Sequence, residues 1–305
     1  MRTAKFKVLY HNDLDGECSG AIVHEYLKRS EALDGSEFVR VDYGVPLDDS
    51  TLDGYQVIMV DFSFDGVKRF DNFVLNVGVE NITWIDHHNS AMTKRSKYPE
   101  IEGTVVEGGK AACELTWEYF FPGEEMPAAV KLVGDFDTWS FKYGEDTRDF
   151  HDGAGNQDTE PGSSFWQEIL QIKDMNDVSA RGNILTKTMY MGNIIKQWKK
   201  EHYRKYARDH AYITKWHGLR VVCCNAAMCG SLMFESIPKD MYDIMARFVY
   251  DGEKWITTLF TDNPDIDCSQ YAEAYGGGGH PGAAGFHSNL MPFEVSDKTI
   301  LREVI

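Results

Sequence analysis

The sequence lacks the features that mark disulfide-stabilised, secreted and membrane-spanning proteins. No Cys-x-x-Cys pair occurs among its six cysteines, and a chain of 305 residues is too long for a disulfide-stapled scaffold. No apolar run approaches the roughly 18 residues that a membrane span needs, and no apolar signal core follows the first residues. We therefore expect reduced thiols, a cytoplasmic location and no membrane partner.

Positive charge is also scarce. The chain has 31 Lys and Arg against 48 Asp and Glu, which gives a formal net charge of −17. Because duplex nucleic acid is usually bound by a basic patch, we expect no duplex partner. A phosphate-containing substrate should be small or short, with bound metal ions overcoming the overall field. The simpler alternative is that the acidic surface only keeps the protein in solution.

Apolar residues are plentiful enough for packed domains, since 43% of the chain is hydrophobic and 13% aromatic. Strands and helices alternate through residues 1-175, which predicts an α/β domain with a parallel sheet. A helical segment in residues 176-212 is predicted to connect it to a smaller C-terminal α/β domain, residues 213-305. Strands predominate there, and a hairpin turn at Asp251-Gly252-Glu253 fits a mixed sheet.

Ionisable side chains follow three predicted strands of the first domain. These strands cover residues 6–10, 55–60 and 82–85, and they are followed by His11, Asp13 and Asp15, by Asp61, and by Asp86, His87 and His88. Parallel strands carry their carboxyl ends at one sheet edge, where open α/β folds bind ligands. We therefore expect these side chains to converge.

Two further carboxylates, Asp135 and Asp137, follow a predicted helix at residues 127–133. Carboxylates at a helix C-terminus oppose the helix dipole, which favours cations there. A metal ion beside them would explain this arrangement, and the alternative is a solvated acidic turn.

The converging residues have the donor chemistry of a two-metal site. Asp13 and Asp15 could each hold a cation, Asp61 could bridge the two, and His87 and Asp135 could add ligands. Mixed histidine and carboxylate ligation without cysteine favours Mn²⁺, with Mg²⁺, Fe²⁺ or Co²⁺ possible and zinc not excluded. Two ions about 3.5–4 Å apart are a common arrangement for displacement at phosphorus. They lower the pKa of a bound water and neutralise charge on the phosphoryl oxygens.

A second candidate site is the glycine run Gly276–Gly279 before His280, after a predicted helix at residues 268–275. Successive backbone amides of glycines can form an anion-binding nest. The run is not a P-loop, because no Lys-Ser/Thr follows and it ends a helix. Alone it could be a flexible turn, but beside a phosphate-type metal site we interpret it as a phosphate or nucleotide contact.

Taken in order, these motifs resemble the four motifs of the DHH phosphoesterase superfamily, followed by the glycine-rich signature of the DHH-associated C-terminal domain. The arrangement is most similar to nanoRNases, cyclic-dinucleotide phosphodiesterases and short RecJ-like proteins. The resemblance implies a two-metal hydrolase that cleaves short or cyclic oligonucleotides to mononucleotides. Alternatives are a phosphomonoesterase acting on 3′-phosphoadenosine 5′-phosphate, a single-strand exonuclease and a non-catalytic nucleotide-binding sensor. Either a monomer or a homodimer is expected.

The resemblance also implies roles for individual residues. One metal would be held by His11, Asp13 and Asp61, and the other by Asp15, Asp61, His87 and Asp135. His88 would face the scissile phosphate and Asp86 would orient the histidines. The substrate would lie in a cleft between the domains, and its terminal nucleotide or phosphate would be bound by Gly277, Gly278, Gly279 and His280.

Three further interpretations complete this assignment. Asp137 competes with Asp135 as the metal ligand, and the family position favours Asp135, with Asp137 in a supporting role. The strand at residues 257–262 lacks the arginine that many nanoRNase-type proteins carry there, so the substrate pose is open. Trp84 and Trp139 are interpreted as core residues and not as base-stacking platforms.

Overall fold

The four N-terminal strands form one parallel sheet with the order β2-β1-β3-β4. They are seen in a computed structural model that describes residues 5–174, 183–227, 229–293 and 299–301. The strands are β1 (Phe6–His11), β2 (Glu37–Val41), β3 (Gln56–Val60) and β4 (Ile82–Ile85). Most residues of β1, β3 and β4 are buried, which explains their nearly continuous apolar runs. All four carboxyl ends therefore lie at one edge of the sheet.

Helices surround this sheet and supply most of its hydrophobic core. They are α1 (Leu14–Arg29), α2 (Val67–Val77), α3 (Asn89–Lys97), α4 (Ala112–Phe120), α5 (Ala128–Asp137), α6 (Glu145–Ala154) and α7 (Ser164–Ile169). Of these helices, α6 spans ten residues and buries Phe150. The predicted α/β class is confirmed for this part of the chain.

The long helix α8 (Ile184–His210) lies within the predicted helical segment of residues 176-212, whose residues 176–182 are outside the described part of the chain. Its first half packs on α6 through two glycines. A Cβ on Gly192 would lie 1.6 Å from the Asp149 carbonyl oxygen, and one on Gly153 would lie 1.9 Å from the Thr188 carbonyl oxygen. The two helix backbones can approach this closely only because neither glycine has a side chain.

The chain divides into two compact units, Met1–Lys196 and Gln197–Ile305, so α8 begins in the first and ends in the second. The domain boundaries predicted at residues 175 and 212 stay predictions. Among the described residues, no helix combines the length and apolar character needed to cross a membrane. All six cysteines are buried and free, as expected.

The second unit is built on a seven-stranded mixed sheet, ordered β11-β5-β6-β7-β8-β10-β9. Among the described strands of this sheet, only β6 and β7 pair in parallel. The elements are β5 (Tyr212–Trp216), β6 (Leu219–Asn225), β7 (Ile244–Tyr250), β8 (Trp255–Phe260), α9 (Cys268–Glu273), β9 (Gly278–His280), β10 (Ala283–Ser288) and β11 (Thr299–Ile300). The predicted hairpin is confirmed, since β7 and β8 pair antiparallel up to Tyr250 and Trp255.

Candidate metal centre

Side chains that follow β1, β3 and β4 meet at the carboxyl edge of the parallel sheet. Their donor atoms form three groups, and within each group the atoms lie within 4.8 Å of one another. The groups are His11, Asp13 and Asp61; Asp15, His87 and Asp137; and Asp61, His87 and His88. Asp61 and His87 each belong to two groups, so the three form one continuous cluster.

Asp61 lies at the centre of this cluster. Its side chain is 1% exposed, and neither carboxylate oxygen has a hydrogen-bond partner among the residues that the structure describes. Oδ2 lies 3.6 Å from His11 Nδ1, and Oδ1 lies 3.4 Å from His87 Nε2. Burial raises the pKa of this carboxyl well above its usual value, although His11 opposes the shift. An unpaired buried carboxylate is costly, and cations on its two sides would remove that cost.

His11 and Asp13 are held together by the start of α1. Asp13 caps the helix by accepting a hydrogen bond from the Gly16 amide (2.9 Å), and its other oxygen lies 2.7 Å from His11 Nδ1. Burial favours the neutral form of each, but their pairing prevails. It lowers the pKa of Asp13 to about 2 and raises that of His11 to about 10, with Asp61 contributing. A Cβ on Gly16 would lie 2.3 Å from the His11 carbonyl oxygen, so this turn requires glycine.

Asp15 and His87 form the other side of the cluster. Both Asp15 oxygens accept hydrogen bonds from the first amides of α4, those of Ala112 and Cys113, at 2.8 Å each. A helix N-terminus favours a carboxylate in this position. His87 Nε2 is surrounded by three carboxylates, 3.4 Å from Asp61, 3.4 Å from Asp137 and 3.7 Å from Asp15.

The structure brings Asp137 to the cluster and leaves Asp135 outside it, which corrects the sequence prediction. Asp135 accepts hydrogen bonds from the Lys142 amide (2.8 Å), the Tyr143 amide (3.2 Å) and the Thr147 hydroxyl. Burial alone would raise its pKa, but these hydrogen bonds lower it. Both residues lie in the last turn of α5, and side chains two positions apart on a helix point in different directions. Only one of them can face the sheet edge.

Asp86 and His88 are paired next to this cluster. Asp86 Oδ1 lies 2.8 Å from His88 Nδ1 and also accepts a hydrogen bond from the His88 amide (3.0 Å). The ring is thereby fixed, with Nε2 left for another partner. Burial would lower the His88 pKa, but Asp86 raises it above its ordinary value. Asp86 thus has the geometry of the predicted supporting residue, toward His88 in particular.

The sequence interpretation missed two residues, Asp42 and Tyr43, which directly follow β2. Asp42 Oδ1 lies 3.6 Å from His11 Nε2. The Tyr43 ring lies 5.2 Å from that of His11 and 6.1 Å from that of His88. The Tyr43 hydroxyl is buried and has no hydrogen-bond partner among the described residues, and burial raises its pKa. The sequence contains the signal, because Asp42 directly follows β2 just as Asp61 directly follows β3.

The glycine run of the second unit differs from the predicted anion nest. The amides of Gly276 and Gly277 donate to the carbonyls of Glu273 and Ala272, so they are occupied in ending α9. The following residues, Gly278–His280, form the edge strand β9, which pairs with β10. A Cβ on Gly277 would lie 2.0 Å from the Gly285 carbonyl oxygen, which explains the need for glycine there. Substrate binding by Gly277, Gly278, Gly279 and His280 stays a prediction.

The turn after α5 carries two aromatic residues in an unusual backbone conformation. Trp139 and Phe141 have φ values of +56° and +48°, a left-handed region that costs an L-residue about 1–2 kcal/mol. Trp139 is 63% exposed, so its prediction as a core residue is wrong, whereas Trp84 is fully buried as expected. The Asp135 carbonyl accepts hydrogen bonds from the Ser140 amide (3.0 Å) and the Phe141 amide (3.4 Å), which fixes the turn.

No family model matches the chain. In sequence it is 25% identical over 320 aligned residues to uncharacterized protein R106 of Acanthamoeba polyphaga mimivirus, covering 97% of this chain and 72% of that protein. The DHH domain of a member of the s1p family of ribosomal proteins superposes with a TM-score of 0.60 and 15% identity, over 93% of this chain and 82% of that one. A pGpG-specific phosphodiesterase, PggH from Vibrio cholerae, gives 0.49 and 13%, over 93% and 94%. The first structural likeness shows a shared fold.

Proposed function

Since the chain has the fold of the DHH superfamily, as its motifs predict, we propose that it is a metal-dependent hydrolase of phosphoester bonds. Its proposed substrates are short or cyclic oligonucleotides, which it cleaves to mononucleotides. One observation carries the proposal. Asp61 is buried between His11 and His87, and in the described part of the chain both of its oxygens lack hydrogen-bond partners. That is costly in a protein that binds no cation there.

The donor set fits two divalent cations. His11, Asp13 and Asp61 would hold one, and the other would be held by Asp15, Asp61, His87 and Asp137. Imidazole and carboxylate ligands without cysteine suit Mn²⁺ first, with Mg²⁺, Co²⁺ or Fe²⁺ possible. When bound, such ions activate water at neutral pH and neutralise charge on phosphoryl oxygens.

The chain's own residues would complete the chemistry around the phosphate. Asp86 accepts a hydrogen bond from Nδ1–H of His88 and, against the effect of burial, raises the pKa of this histidine. The doubly protonated ring can therefore also donate a hydrogen bond from Nε2 to a phosphoryl oxygen. A donor fixed in advance stabilises the charge that develops there during displacement. The Tyr43 hydroxyl has no partner among the described residues and supplies a second donor beside the same histidines.

The net charge of −17 supports a short substrate. A long polyanion would meet repulsion over most of the surface, whereas a dinucleotide carries few charges that the bound cations can offset. The proposal therefore predicts that activity falls as the strand becomes longer, and that duplex is not cleaved.

The test is a substrate panel with the purified protein and Mn²⁺, with the products separated. We expect mononucleotides from linear or cyclic dinucleotides. The isosteric change Asp61→Asn should reduce turnover by more than the roughly 10- to 100-fold that loss of a residue supporting a metal ligand costs. Asp53→Asn, at an exposed aspartate, is the control and should keep full turnover.

Other results would indicate a different function. Inorganic phosphate released only from 3′-phosphoadenosine 5′-phosphate would indicate a phosphomonoesterase, and a preference for long single strands would indicate an exonuclease. Tight nucleotide binding without product would indicate a sensor. Full turnover in a folded Asp61→Asn variant would refute the metal assignment.

A further inference from the structure

An exposed aromatic group follows the candidate metal centre in the chain. We define the aromatic turn as residues 139–143, which contain Trp139, Phe141 and Tyr143. Trp139 contacts Phe136 and Phe141 edge-on, with ring centroids 5.4 and 4.9 Å apart. These contacts hold the indole from the side, while 63% of its surface remains exposed.

Packing does not explain a tryptophan at this position. Two large aromatic side chains of the following helices, Phe150 and Trp166, are at most 1% exposed, whereas Trp139 is more exposed than Tyr143 of the same turn, which is 36% exposed. Trp139 instead has an exposed indole on a residue with φ of +56°, a conformation that glycine adopts without strain. The backbone conformation opposes folding, and the largely exposed indole contributes little burial to compensate for it. Strained residues of this kind cluster at functional sites.

The position of the turn links it to the metal centre. Trp139 is two residues beyond Asp137, which belongs to the cluster around His87. The carbonyl and the carboxylate of Asp135 accept hydrogen bonds from backbone amides of the turn, so the backbone that carries the indole is fixed. Asp61, at the centre of the cluster, also has a positive φ.

The chemistry of the group matches a nucleotide. The Arg148 guanidinium lies 4.0 Å from the centre of the Phe141 ring and has no carboxylate partner among the described residues. Lys142 is exposed on the same turn. A flat apolar ring beside positive charge suits a base attached to a phosphate, because bases stack on aromatic side chains and cations attract the backbone.

We propose that Trp139 stacks on a nucleobase of the substrate next to the phosphate at the metal centre, and so selects nucleotides over other phosphoesters. This inference rests on the proposed function for the identity of the substrate. It assigns base selection to the aromatic turn, in addition to any contact made by His280.

The test compares the affinities of AMP and ribose 5-phosphate, measured by calorimetry in the presence of Mn²⁺. Neither ligand is a diester, so the proposed hydrolysis does not interfere. We expect the wild type to prefer AMP, and Trp139→Gly to reduce that preference by about 10-fold or more, the effect of losing one stacking ring. Trp139→Phe should keep most of the preference. Trp198→Ala is the control, since Trp198 is 62% exposed on α8.

Thermal unfolding checks that the variant remains folded. Trp139→Gly should unfold no earlier than the wild type, because glycine relieves the backbone strain. An unchanged AMP preference in Trp139→Gly would overturn the inference, as would an equal loss in Trp198→Ala. If no substrate is hydrolysed but Trp139→Gly still loses the AMP preference, the proposed function fails and nucleotide stacking on Trp139 stands.

Discussion

Replacing Asp61 with asparagine should have opposite effects on stability with and without metal. In the metal-free protein Asp61 is a buried carboxyl close to the carboxylates of Asp13 and Asp137, and its oxygens have no hydrogen-bond partners within the described ranges. The neutral amide has nearly the same shape and lacks the charge. Asparagine also tolerates the left-handed backbone that this position adopts. We therefore expect Asp61→Asn to stabilise the metal-free protein.

The magnitude is set by two opposing quantities. Leaving a polar group buried without partners costs about 1–3 kcal/mol, and more for a charge. On folding, this carboxyl either keeps its charge in a buried site or binds a proton, and each costs free energy that asparagine avoids. Asparagine should therefore recover an amount of that order, and each kcal/mol raises the melting temperature by about 2–4 °C for a domain of 150–250 residues. Saturating metal gives the wild type about 2.7 kcal/mol per ion at 100 times Kd. Asp61→Asn should lose most of this gain, so the order of stabilities reverses when Mn²⁺ is added.

Thermal unfolding with EDTA and with excess Mn²⁺ measures both effects. Asp53→Asn serves as the control and should match the wild type in both conditions, because Asp53 is exposed. The reasoning is refuted if Asp61→Asn is less stable than the wild type in EDTA, or if Mn²⁺ stabilises the two proteins equally.

Three further predictions concern the same edge of the sheet. The metal-free protein should lose stability as pH rises from about 4 toward about 10, because the folded state binds protons that the unfolded chain releases at lower pH. These protons are on Asp61, whose pKa is raised, and on His11, whose pKa is about 10. Denaturant titrations across pH would measure this, and stability that rises over this range would contradict it. Gly16→Ala places a Cβ 2.3 Å from the His11 carbonyl oxygen. The substitution should therefore lower the free energy of unfolding by about 1–3 kcal/mol and weaken Mn²⁺ binding. A variant as stable as the wild type in urea would exclude the clash. Asp137→Asn should weaken Mn²⁺ binding with little change in melting temperature, whereas Asp135→Asn should lower the melting temperature and leave the Mn²⁺ affinity unchanged. Calorimetry that gives the reverse would make Asp135 the metal ligand, as predicted from the sequence.

The parallel sheet and its functional edge could be predicted because local patterns determine them. Apolar runs of four to six residues gave the strands, and a polar residue at the end of each gave the edge, including Asp61. The choice between Asp135 and Asp137 could not be made in this way, because it depends on the rotation of α5 against the sheet. Tertiary packing sets that rotation, and a spacing of two residues does not reveal it.

The other differences also arise from long-range contacts. The glycine run was interpreted as a helix end, but Gly278–His280 pairs with β10, and strand pairing is not visible in a run of glycines. Trp139 was assigned to the core because tryptophan is usually buried, and neither its exposure nor its positive φ can be read from its neighbours in the sequence.

The most direct test of the account is hydrolysis of a linear dinucleotide by the wild-type protein across a titration of Mn²⁺. We predict that mononucleotides appear in proportion to bound metal, that EDTA stops the reaction, and that added Mn²⁺ restores it. Product that forms equally well in EDTA, or no product from any nucleotide at saturating Mn²⁺, would contradict the assignment of a metal-dependent phosphoester hydrolase.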